Sequence, residues 1–338
     1  MDEDYWRALE AGDRHAALAA VKRLQESGRS PLDIVDEVIV PAQARVGELW
    51  LDGDWSISQE HAATAINEGL VHWLGSFAPE PDPAAPLVLV ACLEGERHAL
   101  PALVVAESLQ VAGYRVHYVG GDPEPHDLLR EVLVLKPRAV LFSASLTSSL
   151  ARQKGLFGSI RSIGIPVIVG GRAFGGDERR AQALGATAYA PGVGDVLRLL
   201  EHLPPRLRPV PRPQEGPADA EAAWILDYRG QITRLVVRAL ERRFAADGAR
   251  PRWWPELEGH VDHLVGCLAA ALVTGDETIM IEVRDWLGQV LTRRGADPGL
   301  VAEIWDLLAE PLRGHPLARV HLAGSAAPSE GDLREPSA

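Results

Sequence analysis

Apolar positions along this chain follow three successive rhythms. From residue 5 to 76 they recur mostly at spacings of three and four, as in Trp6 and Leu9, then Ala20, Val21 and Leu24, then Ile34, Val35, Val38 and Ile39. That is the period of helices with one buried face. Breaks fall at 12–13, 27–31 and 51–54, where glycine can end a helix and Asp or Ser can cap the next. Pro31 suits a first helical turn, since its missing N–H is not needed there. Four short helices with short connections predict an antiparallel bundle.

After residue 86 the rhythm changes. Short runs that are apolar throughout, at 87–92, 115–119, 139–142, 166–169 and 186–189, alternate with helical patterns at 100–112, 126–135, 150–163, 177–184 and 195–203. Such strands predict a parallel sheet covered on both faces, and five units predict a flavodoxin-like (Rossmann-like) doubly wound α/β domain. Ligands in that architecture sit beyond the carboxyl ends of the strands. A third rhythm, helical again, occupies 225–244, 257–273, 278–293 and 300–312, with breaks at 247–248, 274–276 and 295–298. The expected domains are 1–77, 87–203 and 219–320, with proline-rich linkers at 78–86 and 204–218 and a mobile tail at 321–338.

Composition narrows the function classes. The net charge of −13, from 47 acidic and 34 basic residues, offers no basic footprint for nucleic acid. No apolar run approaches the roughly 18–20 residues of a membrane span. The N-terminus is acidic where a secretory signal is basic, and the two cysteines, Cys92 and Cys267, lie far apart. A cytoplasmic, disulfide-free protein that does not insert into membranes is expected.

Three loops converge on the expected crevice: Glu96-Arg97-His98, then Ser143 with Ser145-Leu146-Thr147, then Gly170-Gly171. A histidine two residues after a carboxylate fits a metal ligand whose second ring nitrogen is held by the acid, which fixes the tautomer. The alternative is a surface or helix-capping histidine. Gly-Gly would admit a bulky group close to the backbone, although Ser and Gly are common in such loops anyway. Upstream, Trp50 precedes Glu60-His61 by a loop and a helical turn, which reads as a lid. The plainer account is a core tryptophan and an exposed helical pair.

The acid-x-His turn, the Ser loop and Gly-Gly together resemble the cobalamin-binding domain of methionine synthase, mutases and B12-dependent light-responsive regulators. The resemblance implies that His98 is the lower axial ligand of cobalt, that Glu96 is its orienting partner, and that Ser143 and Gly170-Gly171 line a pocket for the displaced base. Glu96 stands where Asp is commoner, and Pro101 where glycine is usual. Trp50, nine intervening residues and Glu60-His61 are similar to the signature of the adenosylcobalamin photoreceptors, in which the tryptophan packs on the adenosyl group and the acid binds its ribose. There a histidine directly after the tryptophan can take the upper cobalt position after photolysis. Here that residue is Leu51, so water, His61 or another group would have to serve. The light-responsive repressors also carry an N-terminal helix-turn-helix module. This chain begins with the bundle, so the expected output runs through quaternary structure or an unidentified signalling protein.

The C-terminal stretch holds five of nine tryptophans, Trp224, Trp253, Trp254, Trp286 and Trp305, and a helical face with His260, His263 and Cys267. On residues alone this is an aromatic helical interaction domain. The order of bundle, α/β domain and helical domain resembles the photocobilins, which combine B12 with biliverdin in a globin-like domain. That resemblance implies bilin contacts at Trp253, Trp254, His260, His263, Cys267 and Trp286, with Arg234, Arg252 and Arg284 for propionates. The resulting expectation is a non-enzymatic, homo-oligomeric photoreceptor holding adenosylcobalamin and biliverdin, with light-induced Co–C cleavage changing its assembly. A corrinoid carrier serving a methyltransferase and a scaffold with no cofactor are the alternatives.

Overall fold

The computed structural model describes residues 2–204, 206–211, 213–244, 251 and 253–325. It divides into two compact units, residues 1–213 and 214–338. The first opens with helices α1 (Glu3–Glu10) and α2 (Arg14–Glu26), started by Asp2 and Asp13, whose carboxylates accept the first free N–H groups. Next, α3 (Pro31–Ile34) runs through a π-helical turn, Val35–Ile39, into α4 (Val40–Asp52). Gly53, in the left-handed conformation (φ 79°), terminates α4. Ser56 and Gln59 then form a capping box that starts α5 (Ile57–Gly75).

The α/β half follows as β1 (Leu87–Cys92), α6 (Leu100–Val111), β2 (Arg115–Gly120), α7 (Pro125–Leu135) and β3 (Ala139–Ser143). A 3₁₀ segment, Thr147–Arg152, leads into α8 (Gln153–Ser162), then β4 (Val167–Gly170), α9 (Arg179–Ala183), β5 (Ala188–Tyr189) and α10 (Val193–His202). All pairings are parallel, in the order β2-β1-β3-β4-β5. This is the flavodoxin-like order, whose switch point lies between β1 and β3.

Bundle and sheet are not separate bodies. Leu100, Leu103 and Val104 of α6 belong to the same core cluster as Ile34, Val46, Leu70 and Leu74 of the bundle. Each such burial is worth about 1.5–3 kcal/mol, and His72 of α5 also meets Glu107 of α6 at 3.2 Å. The joined core holds α5 beside the His98 loop that leads into α6.

The structure departs from the sequence expectations at several ends. The helix expected over 150–163 begins as the 3₁₀ turn, and β5 has two residues where four were expected. The first half of the second linker is bound to the α/β half, with Leu207 N–H on Gly164 O at 2.9 Å and the Arg206 guanidinium on the carbonyls of Lys136 and Pro137. Its end is already helical in α11 (Pro217–Phe244).

In the second unit α11 pairs with α12 (Trp254–Thr274), bound by the bidentate Arg229–Asp262 ion pair at 2.9 and 2.6 Å. Helices α13 (Thr278–Arg293), α14 (Gly299–Ala309) and α15 (Pro316–Gly324) complete it. Helix α15 overruns the boundary expected at 321. Two packed residues anchor it: Leu322 is buried, and Ser325 just beyond accepts a hydrogen bond from Trp305 Nε1 at 3.0 Å. Residues 326–338 of the expected tail, the helix break at 247–248 and Arg252 lie outside the described residues. The globin-like expectation goes no further than this helical content. Among the described residues no helix is long and apolar enough to cross a membrane.

Candidate functional site

The site is built on the loop between β1 and α6. Glu96 is fully buried there, and its two oxygens divide the work. Oε1 accepts the backbone N–H of His98 at 2.8 Å and lies 2.6 Å from His98 Nδ1. Oε2 accepts the N–H groups of Ser145 and Leu146, at 2.6 and 2.7 Å, from the loop after β3. One carboxylate therefore ties the two loops of the switch point together and orients the imidazole. Burial pushes the Glu96 carboxyl up, but the hydrogen bonds from His98 and Leu146 outweigh it and hold it below the usual carboxylate range. His98 is raised in turn, first by its hydrogen bond to Glu96 and against the opposing effect of burial.

With Nδ1 engaged, Nε2 is the ring nitrogen available to a metal, and the His98 side chain is 49% exposed while its carboxylate partner is 0% exposed. This donor set fits one axial bond to a metal whose other positions are filled by a macrocycle. Corrin-bound cobalt is such a metal.

A second clamp on this loop comes from the turn after β2, and the sequence pattern alone does not announce it. Asp122 accepts the Gly95 N–H at 2.8 Å, donates its own N–H to Glu96 O at 2.7 Å, and lies 3.5 Å from Arg97 Nε. The signal was the Gly120-Gly121-Asp122 run after a strand. Arg97 itself points to this clamp and is 86% exposed. Two further groups act electrostatically on His98, the Glu60 carboxylate from α5 and the Arg172 guanidinium from the loop after β4. Glu68, two turns along α5 from Glu60, is raised mainly by burial and feels both Glu60 and His98. Cys92 is inert packing: burial pushes its thiol up to about 12.

Ser143 is buried at the end of β3, in register with Cys92 and Gly170. Thr147 begins the 3₁₀ turn and is half-buried. The two glycines have a reason within the fold. A Cβ on Gly170 would lie 2.4 Å from Ala190 O, and one on Gly171, where φ is +97°, would lie 2.3 Å from Ala144 O. The chain's own backbone stands where those two side chains would be, so close packing by itself calls for glycine at both positions. Gly171→Ala is accordingly expected to destabilise the protein by about 1–3 kcal/mol from backbone strain alone, measured by urea unfolding without any ligand.

Across from the sheet, Trp50 is half-buried in the last turn of α4 and Glu60 sits in the first turns of α5 with 16% of its side chain exposed. His61 projects to solvent, 70% exposed and 3.4 Å from Glu60. Trp55, in the loop between them, stacks on Trp6 of α1 at 5.7 Å and 17°, and the Arg45 guanidinium covers Trp6 at 4.2 Å.

In the second unit the residues singled out for biliverdin are packed on one another. Trp286 meets His260 and His263 edge-on at 5.3 and 5.4 Å, and His263 Nε2 is 3.4 Å from Cys267 Sγ. Burial, with Arg294 nearby, lowers His260 to about 4. Trp253 and Trp254 form a separate cluster with Phe244. Arg284 donates to Ser325 O at 2.8 Å, and Arg234 lies beside Gly230. Trp253, Trp254, His260 and Cys267 are buried and Trp286 and His263 half-buried, as an ordinary helical core would hold them.

Comparison with known proteins agrees with the first unit. Residues 1–74 match one family model described as a B12 binding domain, and residues 86–197 match a second. The chain is 33% identical over 152 residues to the HTH-type transcriptional repressor CarH of Myxococcus xanthus, a match covering 42% of this chain and 48% of that protein. It is 24% identical over 178 residues to a trimethylamine corrinoid protein of Methanosarcina barkeri, covering 51% of this chain and 81% of that one. The monomethylamine corrinoid protein of Methanosarcina barkeri shares the fold, with a TM-score of 0.51 at 19% identity over 59% of this chain and 96% of that one.

Proposed function

We propose that this cobalamin-binding protein is a light sensor rather than a catalyst, holding adenosylcobalamin through His98 beneath a cap made by Trp50 and Glu60. The observation that carries the reading is the shared core that packs α5, which bears Glu60, on α6, the helix into which the His98 loop leads. The lower-face ligand and the candidate cap acid therefore belong to one site. Bound adenosylcobalamin supplies a light-cleavable cobalt–carbon bond. The chain's own residues supply the rest. Glu96 holds the imidazole in the tautomer that leaves Nε2 for cobalt, Trp50 offers an aromatic face to a nucleoside, and Glu60 accepts hydrogen bonds from its hydroxyls. Because α5 shares a core with α6, loss of an occupant beneath Glu60 would be felt through the bundle, with a change of homo-oligomeric assembly or of a partner's binding as output.

A corrinoid carrier for a methyltransferase is the second reading, favoured by the match to the trimethylamine corrinoid protein. It needs no aromatic face or hydroxyl acceptor above cobalt. The biliverdin reading rests on resemblance alone, since the residues assigned to it serve equally as packing.

Absorption spectra of the full chain, incubated in darkness with adenosylcobalamin, methylcobalamin or biliverdin and then lit with green light, separate these readings. The sensor binds the adenosyl form, and its spectrum and elution volume shift on illumination. Stable binding of the methyl form alone selects the carrier, no cobalamin band selects a scaffold, and a red band with biliverdin reports a bilin site. Glu60→Ala is expected to reduce the preference for adenosyl over methyl about tenfold, the worth of one hydrogen bond to a charged group, and Trp50→Ala to reduce it about fivefold through loss of the aromatic face. Unchanged preference in both variants would remove the cap assignment.

A further inference from the structure

Glu60 ends an uninterrupted hydrogen-bonded chain that crosses the bundle core. Thr64, one turn along α5, donates its hydroxyl to Glu60 Oε1 at 2.9 Å. Gln43 of α4 donates Nε2 to Thr64 Oγ1 at 2.8 Å, and Asn67 of α5 donates Nδ2 to Gln43 Oε1 at 2.7 Å. Tyr5 of α1 donates its hydroxyl to Asn67 Oδ1 at 2.5 Å. Tyr5 and Asn67 are fully buried, and Gln43 and Thr64 half-buried.

The direction of this chain follows from its end. An ionised carboxylate only accepts, so the single Thr64 proton is committed to Glu60. The Thr64 oxygen must then accept, which turns the Gln43 amide nitrogen toward it and the Gln43 oxygen toward Asn67. Asn67 donates in turn and presents its own oxygen to Tyr5. Burial holds the Tyr5 hydroxyl protonated far above the usual phenol range, so the far end is always a donor. A helical threonine ordinarily returns its hydroxyl to the carbonyl four residues back. Here the Glu60 carboxylate takes it instead.

Buried polar chains are costly unless every member is satisfied, and here it is the Glu60 carboxylate that satisfies the Thr64 hydroxyl. We infer that Thr64, Gln43, Asn67 and Tyr5 are positioning residues that hold Glu60 aimed as an acceptor for a hydroxyl-bearing upper ligand, so that selectivity at the cap is set in part from helix α1. The inference rests on the reading that Glu60 receives the ribose of an adenosyl group. The Trp6–Trp55 stack is an independent second tie between α1 and the cap loop.

The test is the ratio of dissociation constants for adenosylcobalamin and methylcobalamin, measured in darkness on the full chain. A role in folding alone would weaken both ligands equally, whereas a positioning role changes their ratio. Thr64→Val is expected to lower the adenosyl preference about tenfold while the methylcobalamin constant stays within about twofold, and Thr64→Ser to restore it. Tyr5→Phe, which keeps the ring in the core and removes only the last donor, is expected to lower it about threefold, and it carries the test if Thr64→Val does not fold. If Glu60→Gln collapses the preference while Thr64→Val and Tyr5→Phe leave it intact, the relay is structural only and the inference fails. If Glu60→Gln leaves it intact, the reading of Glu60 fails and the relay with it.

Discussion

His98→Ala is expected to abolish the histidine-ligated cobalamin spectrum and to weaken cobalamin binding beyond the roughly 10–100-fold that loss of an outer partner costs. The fold should survive. Glu96 keeps three backbone N–H donors, from His98, Ser145 and Leu146, after the ring is gone, and the ring itself is half exposed. Unchanged circular dichroism with a changed cobalamin spectrum is the expected pair of observations. Added imidazole should restore the histidine-ligated bands by entering the vacated space. A variant whose spectrum matches the wild type would end the assignment of His98 as the cobalt ligand.

Glu96→Ala should act on the protein before any ligand is added. It leaves those same three N–H groups without their acceptor inside the switch-point loops, at about 1–3 kcal/mol for each buried donor left unsatisfied, while the half-exposed His98 ring can turn to water. Glu96→Gln is the milder probe. Its amide oxygen can serve either the Ser145 and Leu146 N–H groups or the imidazole, but not both, so a loss of about 10–100-fold in cobalamin affinity is expected from the disoriented ring.

The pH dependence of ligand-free stability carries the same signature. Glu96 is held below its unfolded value, so its contribution is complete above about pH 4.3 and is lost as pH falls through the folded value. His98 is held above its unfolded value, so its contribution is complete below about pH 6.5 and is lost as pH rises through the folded value. The pair therefore contributes most between about pH 4.3 and 6.5. Melting temperatures of wild type and Glu96→Gln should converge toward both ends of the range. A difference that stays constant with pH would show that the pair is not the titrating element.

How much was legible from residues alone depends on how far apart the partners lie. Glu96 and His98 are two positions apart, so one turn of loop brings acid and imidazole together, and the spacing announces it. Trp50 and Glu60 flank a loop whose Gly53 stop and Ser56-Gln59 box are written locally. The relay was not visible in this way. Glu60, Thr64 and Asn67 share a face of α5, but Tyr5 is 62 positions from Asn67 and Gln43 is 24 away, and nothing in the period of α1 or α4 says which polar atom it will meet. Gly170 and Gly171 were visible but ambiguous. A missing side chain can admit a ligand or a neighbouring backbone, and the carbonyls of Ala190 and Ala144 stand where the side chains would be.

By itself the sequence determined the order of helices and strands, the parallel sheet and the pairing of an acid with the candidate metal ligand, because each follows from periodicity or from neighbours within one turn. The tertiary structure alone decided what faces what. The Ser145 and Leu146 N–H groups close on Glu96, Asp122 clamps the same loop from the turn after β2, α5 shares its core with α6, and a hydrogen-bonded line joins α1 to Glu60. Hydrophobic pattern identifies the face an element buries but not the element it is buried against. That choice is made by the sum of many packing contacts between residues distant in the chain.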